Sequence, residues 1–151
     1  MVKLGIIGLS EGNGHPYSFS AIINGFNETK FSEAGWPGIL AYLKKKDPVD
    51  IARLDAKIDY VWTQDPALSQ KIADSCCIPN VVSHYNDFIG KVDAVIIARD
   101  DYENHFEMAK VFLESGIAVF IDKPLTLDLG ELTYFKSYIE SGLLLSCSGF
   151  R

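Results

Sequence analysis

The chain has 151 residues, 48% of them hydrophobic, enough apolar material for one substantial core and too little length for a second full domain. Its 20 acidic residues outnumber 14 basic ones, giving a formal charge of -6, so no basic field is present to hold a nucleic-acid backbone by counterion release. Strand-like residues begin almost at Met1 with no leader ahead of them, and no apolar run approaches membrane-spanning length, so the chain reads as soluble and cytoplasmic, with neither nucleic acid nor membrane as partner.

The first predicted strand is the apolar run Leu4 to Leu9. It opens into Gly8-Leu9-Ser10-Glu11-Gly12-Asn13-Gly14-His15-Pro16, ahead of helical spacing from Tyr17 to Phe26. Glycines let backbone amides approach a pyrophosphate, and the positive end of a helix favours that anion. Gly8, Ser10, Gly12, Asn13 and Gly14 are therefore candidate phosphate-binding residues. The spacing departs from Gly-x-Gly-x-x-Gly, since Ser10 takes the second glycine position and Gly12 and Gly14 fall in a lengthened loop. The alternative is a flexible connector, and Glu11 suits a phosphate only if it points to solvent or to a ribose hydroxyl.

About thirty residues, Asn27 to Lys57, then precede the second strand, where about two to six are usual. Ala34-Gly35-Trp36-Pro37-Gly38 reads as a turn, with short helices over Ile39 to Lys46 and Val49 to Ala56. A helix-to-strand connection lies at the amino ends of the strands, whereas ligands of open α/β sheets bind outside the carboxyl ends. The insertion is thus expected to pack or to contact a partner rather than line the pocket.

The second strand, Ile58 to Thr63, leads into Gln64-Asp65-Pro66. Thr63 falls where a carboxylate usually receives the adenosine ribose, with Asp65 two residues on, so NAD and NADP are not separated. Asp65 has capping of the next helix as an equal alternative. That helix covers Leu68 to Ser75, and strands follow at Val81 to Ser83 and Ala94 to Ala98. A helix at Tyr102 to Ser115 and a strand at Ala118 to Ile121 come next, then a helix at Leu129 to Ser141 and a strand at Leu144 to Cys147. Gly116 and Gly142 supply the helix stops. Six short apolar strands alternating with helices predict one α/β domain over 1–151, a doubly wound, mostly parallel Rossmann-like sheet with helices on both faces. Cys76, Cys77 and Cys147 lack the spacing of a zinc site or a disulfide framework and read as reduced thiols; no metal site is expected.

The most specific series runs from Val92-Asp93-Ala94-Val95 through the polar turn Ala98-Arg99-Asp100-Asp101 to His105 in the first turn of a helix. Ala109, Leu113, Gly116 and Val119 then lead into Asp122-Lys123-Pro124, Leu125, Asp128 and the closing Ser148-Gly149-Phe150-Arg151. This ordered series resembles the Gfo/Idh/MocA oxidoreductases, whose pattern has Asp-x-Val, a turn often containing Thr-Pro, a histidine, and Glu-Lys-Pro. Here Asp122 stands for the glutamate and Arg99-Asp100 for Thr-Pro.

The resemblance implies an oxidoreductase with NAD or NADP as cofactor, acting on a sugar, inositol or related polyol by hydride transfer. It implies that Lys123 reaches the nicotinamide and a substrate hydroxyl, with His105 as a second catalytic candidate, and that Ala98, Arg99, Asp122 and Pro124 lie along the cofactor. A lysine cation suits an oxygen that loses its proton as hydride leaves carbon. Read without the family, Lys123 is an exposed strand-end lysine before a strand-breaking proline, and His105 a polar residue near a helix start. Arg99 can pair with phosphate bidentately, whereas Asp100 and Asp101 repel it if unpaired. Family members carry a second domain after this point, so the expectation is either the amino-terminal part of a longer protein or a single-domain relative. The alternative function is a non-catalytic nucleotide-binding or scaffold domain, favoured by the irregular glycine loop and Thr63; a homo-oligomer is compatible with both.

Overall fold

The computed structural model describes residues 1–147, so the closing Ser148-Gly149-Phe150-Arg151 lies outside the described residues. Six strands, β1 (Val2–Ile7), β2 (Ala56–Trp62), β3 (Asn80–Val81), β4 (Ala94–Ile97), β5 (Ala118–Ile121) and β6 (Leu144–Ser146), form one sheet in the order β3-β2-β1-β4-β5-β6. All five pairings are parallel. The helices are α1 (His15–Asn24), α2 (Glu28–Ser32), α3 (Pro37–Leu43), α4 (Pro66–Cys76), α5 (His105–Glu114) and α6 (Leu129–Glu140). This is the doubly wound Rossmann-like fold read from the alternation of strands and helices. The strand order reverses between β1 and β4, and connections leaving opposite ways there open a crevice at the carboxyl edge.

Side-chain alternation gives each face its own core. Ile7, Val95, Ile97, Val119 and Ile121 meet α5 and α6 through Phe112 and Phe135, whereas Ile6, Ile58 and Val61 meet α1 and α4 through Tyr17, Ala21 and Ile72. Ile58 and Val61 face the same side despite odd spacing because the β1–β2 register shifts between Leu4 and Gly5, and the extra residue reverses the alternation. Gly5 is required where it stands: a Cβ there would lie 2.6 Å from the Phe88 ring. On the α1 side, β4, β5 and β6 carry no helix among the described residues, leaving an open apolar groove of about 450 Å³ lined by Phe19, Ile22, Ile96, Phe120 and Leu145.

Several boundaries differ from the sequence expectation for local reasons. The predicted helix over 102–115 divides into a 3-10 turn at Tyr102–Asn104 and α5, and the strand predicted at Val81 to Ser83 is the two-residue β3. The predicted helix over Val49 to Ala56 is only a 3-10 turn at Pro48–Asp50, because Ala52 adopts φ 55 and Ala56 already belongs to β2. The insertion holds an additional helix, α2, capped by the Asn27 side chain. Phe31, Ala34 and Leu43 are buried in the α1/α4 core, so the insertion packs as expected. It also extends to the carboxyl edge, away from the amino ends where a helix-to-strand connection is expected to stay. A Cβ on Gly14 would lie 2.5 Å from Ile39 Cδ1 and 2.8 Å from the Trp36 ring, so α3 closes directly on the glycine-bearing turn.

Among the described residues, no helix is long and apolar enough to cross a membrane. All three thiols are unpaired, and burial, with a smaller contribution from Cys77, pushes the Cys76 thiol far up.

Candidate functional site

Because every strand is parallel, the turns after β1, β2, β4 and β5 all leave the same edge of the sheet. The turn after β1 is held from within. Asn13 Oδ1 accepts the His15 N–H at 2.9 Å, Pro16 has none, and the Tyr17 and Ser18 N–H groups donate to the Gly14 carbonyl at 3.1 Å. The amino end of α1 is thereby largely satisfied by its own loop. What the turn leaves for an anion is the Asn13 side-chain N–H, buried and without a partner among the described residues, beside Gly12, whose φ of 78 and empty surroundings give an open approach. An unsatisfied buried donor costs about 1–3 kcal/mol, and a phosphate oxygen is the acceptor that suits it. Gly8 packs against Pro16, whose Cγ would lie 2.7 Å from a Cβ at that position, and Glu11 is exposed.

The turn after β2 corrects one expectation. Thr63 shares Val61's inward side of the strand and is 2% exposed. Its hydroxyl donates to the Asp65 carbonyl at 2.6 Å and meets Ser69 Oγ at 2.9 Å, so it braces the turn instead of meeting a ribose. Asp65 Oδ1 accepts the Ala67 N–H at 2.8 Å and caps α4. Gln64, which belongs to no motif in the sequence, clamps the first turn: its Nε2 donates to the Leu9 carbonyl at 2.6 Å.

The turn after β4 corrects two more. Arg99 is 7% exposed, and its guanidinium donates to Asp101 Oδ1 at 2.8 Å, Gln64 Oε1 at 2.7 Å and the Gly8 carbonyl at 3.1 Å. It fastens three turns together and is not presented to a phosphate. His105 is fully buried, with Nδ1 2.9 Å from the Pro124 carbonyl and Nε2 3.1 Å from the Arg99 carbonyl. It ties the β4 turn to the β5 turn and touches neither solvent nor an open crevice, as its position on the inner face of α5 requires. Ala98 is also buried, its N–H donating to the Ile7 carbonyl at 2.8 Å.

Lys123 follows β5, with Pro124 half-buried behind it, and its ammonium lies 3.6 Å from Asp100 Oδ2. Asp100 in turn accepts the Ser10 hydroxyl, while its N–H donates to Ser10 Oγ at 3.1 Å. One carboxylate thus links the first turn to Lys123, whose side chain is 41% exposed. Asp122 is 1% exposed; its Oδ1 accepts the Lys123 N–H at 2.9 Å and its Oδ2 pairs with His15 Nδ1. Among the described residues no group of three or more His, Cys, Asp or Glu side chains is arranged to hold a metal ion.

The Ser10 hydroxyl, with the Lys123 charge, holds the Asp100 carboxyl below its ordinary value against the upward push of burial. Burial also pushes Asp101 up, and the hydrogen bonds and charge of Arg99, with Asn104, outweigh it. A carboxyl lower in the folded than in the unfolded chain stabilises fully above its unfolded value, about 3.9, and loses that contribution as pH falls through the folded value. Urea unfolding is expected to give stability that drops below about pH 4, with a shallower drop in Asp101→Asn.

A parallel sheet whose first turn and fifth-strand lysine share one carboxyl rim defines a nucleotide-binding Rossmann domain. A family model described as an oxidoreductase family with an NAD-binding Rossmann fold matches residues 2–142, and the chain belongs to this family, Gfo/Idh/MocA. Scyllo-inositol dehydrogenase from Lactobacillus casei superposes with a TM-score of 0.64 at 20% identity, covering 99% of this chain and 36% of the other. Myo-inositol 2-dehydrogenase from Lactobacillus plantarum gives the same values, 0.64, 20%, 99% and 36%. UDP-N-acetylglucosamine 3-dehydrogenase from Acidithiobacillus ferrooxidans gives 0.63 at 19% identity, covering 98% and 36%. The Lactobacillus casei enzyme has also been solved with NAD(H) and scyllo-inositol bound. The likeness to these proteins is one of fold, and the chain spans about 36% of the length of the first of them. A search of the curated proteins found no match.

Proposed function

We propose that this chain is the cofactor-binding domain of an NAD(P)-dependent oxidoreductase acting on a sugar, inositol or related polyol. The observation that carries the reading is the shared rim: Ser10 and Lys123 both contact the Asp100 carboxylate, so the first turn and the lysine stand close enough to serve one dinucleotide. The residues fit the cofactor in kind. Asn13 would donate its free N–H to a phosphate, with Gly12 giving backbone access and Ser10 beside them. Asp65, whose carboxylate also caps α4, would lie toward the adenosine ribose. Lys123 would leave Asp100 or share it, reaching the nicotinamide and the substrate oxygen.

The bound cofactor supplies the hydride acceptor. The chain's own work is positional: Lys123 would hydrogen-bond the substrate oxygen as its proton passes to solvent and hydride passes from the same carbon to the nicotinamide, while Asp122 and Pro124 fix the turn that carries the lysine. Arg99 and His105 hold the turns after β1, β4 and β5 in register. Substrate class enters from the inositol and UDP-sugar dehydrogenases of the same fold, and contacts to it come mainly from a second domain, as the family pattern implies.

A second reading, a binding or scaffold domain without hydride chemistry, is favoured by the pairing of Lys123 with Asp100. Cofactor binding is tested first. NADH at about a hundred times its Kd is expected to add about 2.7 kcal/mol, seen as a rise in melting temperature and as quenching of Trp62 at the end of β2. No response to millimolar NADH or NADPH removes the first reading and leaves only the scaffold form of the second. Binding without turnover over a panel of polyols and aldoses favours the second.

A further inference from the structure

We propose that His15 is a positioning residue for Lys123, acting through the buried carboxylate of Asp122; this rests on the reading above in which Lys123 works at the nicotinamide. Asp122 is 1% exposed and has two acceptor oxygens. One takes the main-chain N–H of Lys123 at 2.9 Å and the other is met by His15 Nδ1. The contact joins one imidazole nitrogen to one carboxyl oxygen, a pairing that an ionised aspartate makes by accepting and the histidine by donating. His15 opens α1, directly after the glycine-bearing turn, and its N–H is fixed by Asn13 Oδ1 at 2.9 Å. Its ring stacks on Phe19 with centroids 5.1 Å apart, and Phe19 meets Phe120 of β5 edge-on at 6.2 Å.

The imidazole is therefore held on two sides, and through Asp122 it sets the backbone of the residue that carries the working ammonium. The aspartate arm is one methylene shorter than a glutamate at this place, and the histidine reaching in from α1 satisfies it. Without His15, a nearly fully buried carboxylate keeps a single partner, and a buried acceptor left short of a donor is costly enough to reorganise its turn. The same contact couples the two halves of the site, since the loop fixed by Asn13 and the lysine turn are joined by one short chain of bonds.

The test uses three variants of the whole chain followed by amide NMR and NADH titration. His15→Phe keeps a ring on Phe19 and removes the nitrogen, whereas His15→Asn places a side-chain N–H where Nδ1 stood. His15→Phe is expected to move the Lys123 amide resonance and weaken NADH binding about tenfold, the scale of one lost charge-assisted hydrogen bond; His15→Asn is expected to restore both to within about threefold of the starting affinity. An unmoved Lys123 amide in His15→Phe, or equal effects of the Phe and Asn variants, overturns the proposal. Lys123→Ala separates the two claims: if it leaves NADH binding and turnover unchanged while His15→Phe still moves the Lys123 amide, the His15–Asp122–Lys123 linkage stands and the catalytic assignment of Lys123 falls.

Discussion

Lys123→Ala is expected to lower kcat for polyol oxidation by about 10²–10⁴-fold, the usual contribution of a positioned proton-transfer group. The measurement is NADH formation with the substrate for which the unaltered protein turns over. The Lys123 side chain is 41% exposed and its only charged partner among the described residues is Asp100, at 3.6 Å. Nothing in the core depends on it, so the melting temperature should change little, and NADH affinity should fall far less than kcat. Lys123→Arg keeps the charge and the pairing with Asp100 but spreads it over a planar fork that cannot deliver one proton donor to the same point, so most of the loss should persist. A kcat unchanged in Lys123→Ala would leave the lysine as a strand-end surface residue.

Arg99→Ala is expected to destabilise the fold by about 2–4 kcal/mol, because removing one partner of a mostly buried pair leaves its mate uncompensated. The Arg99 side chain is 8% exposed and that of Asp101 27%. The lost guanidinium would also abandon the Gly8 carbonyl and Gln64, and with them the link between the turns after β1, β2 and β4. Urea unfolding checks the magnitude, and Arg99→Lys should recover little, since one ammonium cannot serve Asp101 bidentately and reach the Gly8 carbonyl as well. A change below about 0.5 kcal/mol, the range of ordinary surface substitutions, would mean that the clamp contributes nothing.

The fold was legible because its signals are local and repeated. Apolar runs such as Ala94–Ile97 and Ala118–Ile121 between helical spacings specify buried parallel strands, and Asp65-Pro66 marks the head of α4. That the turns after β1 and β5 share one rim was legible from the same pattern, since it follows once the strands are parallel. Side-chain roles within the site were not. Arg99 carries a charge that suits phosphate, and only the structure shows its donors already taken by Asp101, Gln64 and Gly8. Thr63 and His105 sit at family-like positions yet face inward, the first because of a register shift in β2 and the second because it lies on the buried side of α5. His15 and Gln64 act on residues 107 and 55 positions away in the chain, distances over which no sequence period carries information.

The central claim is that the glycine-bearing turn and the β5 lysine serve one dinucleotide. Titrating NADH into the protein while following the backbone amides of Gly12, Asn13 and Lys123 tests it most directly. All three resonances are predicted to shift together and to saturate with a single Kd. Shifts at the first turn with Lys123 unmoved, or no shift at either place at millimolar NADH, would contradict it.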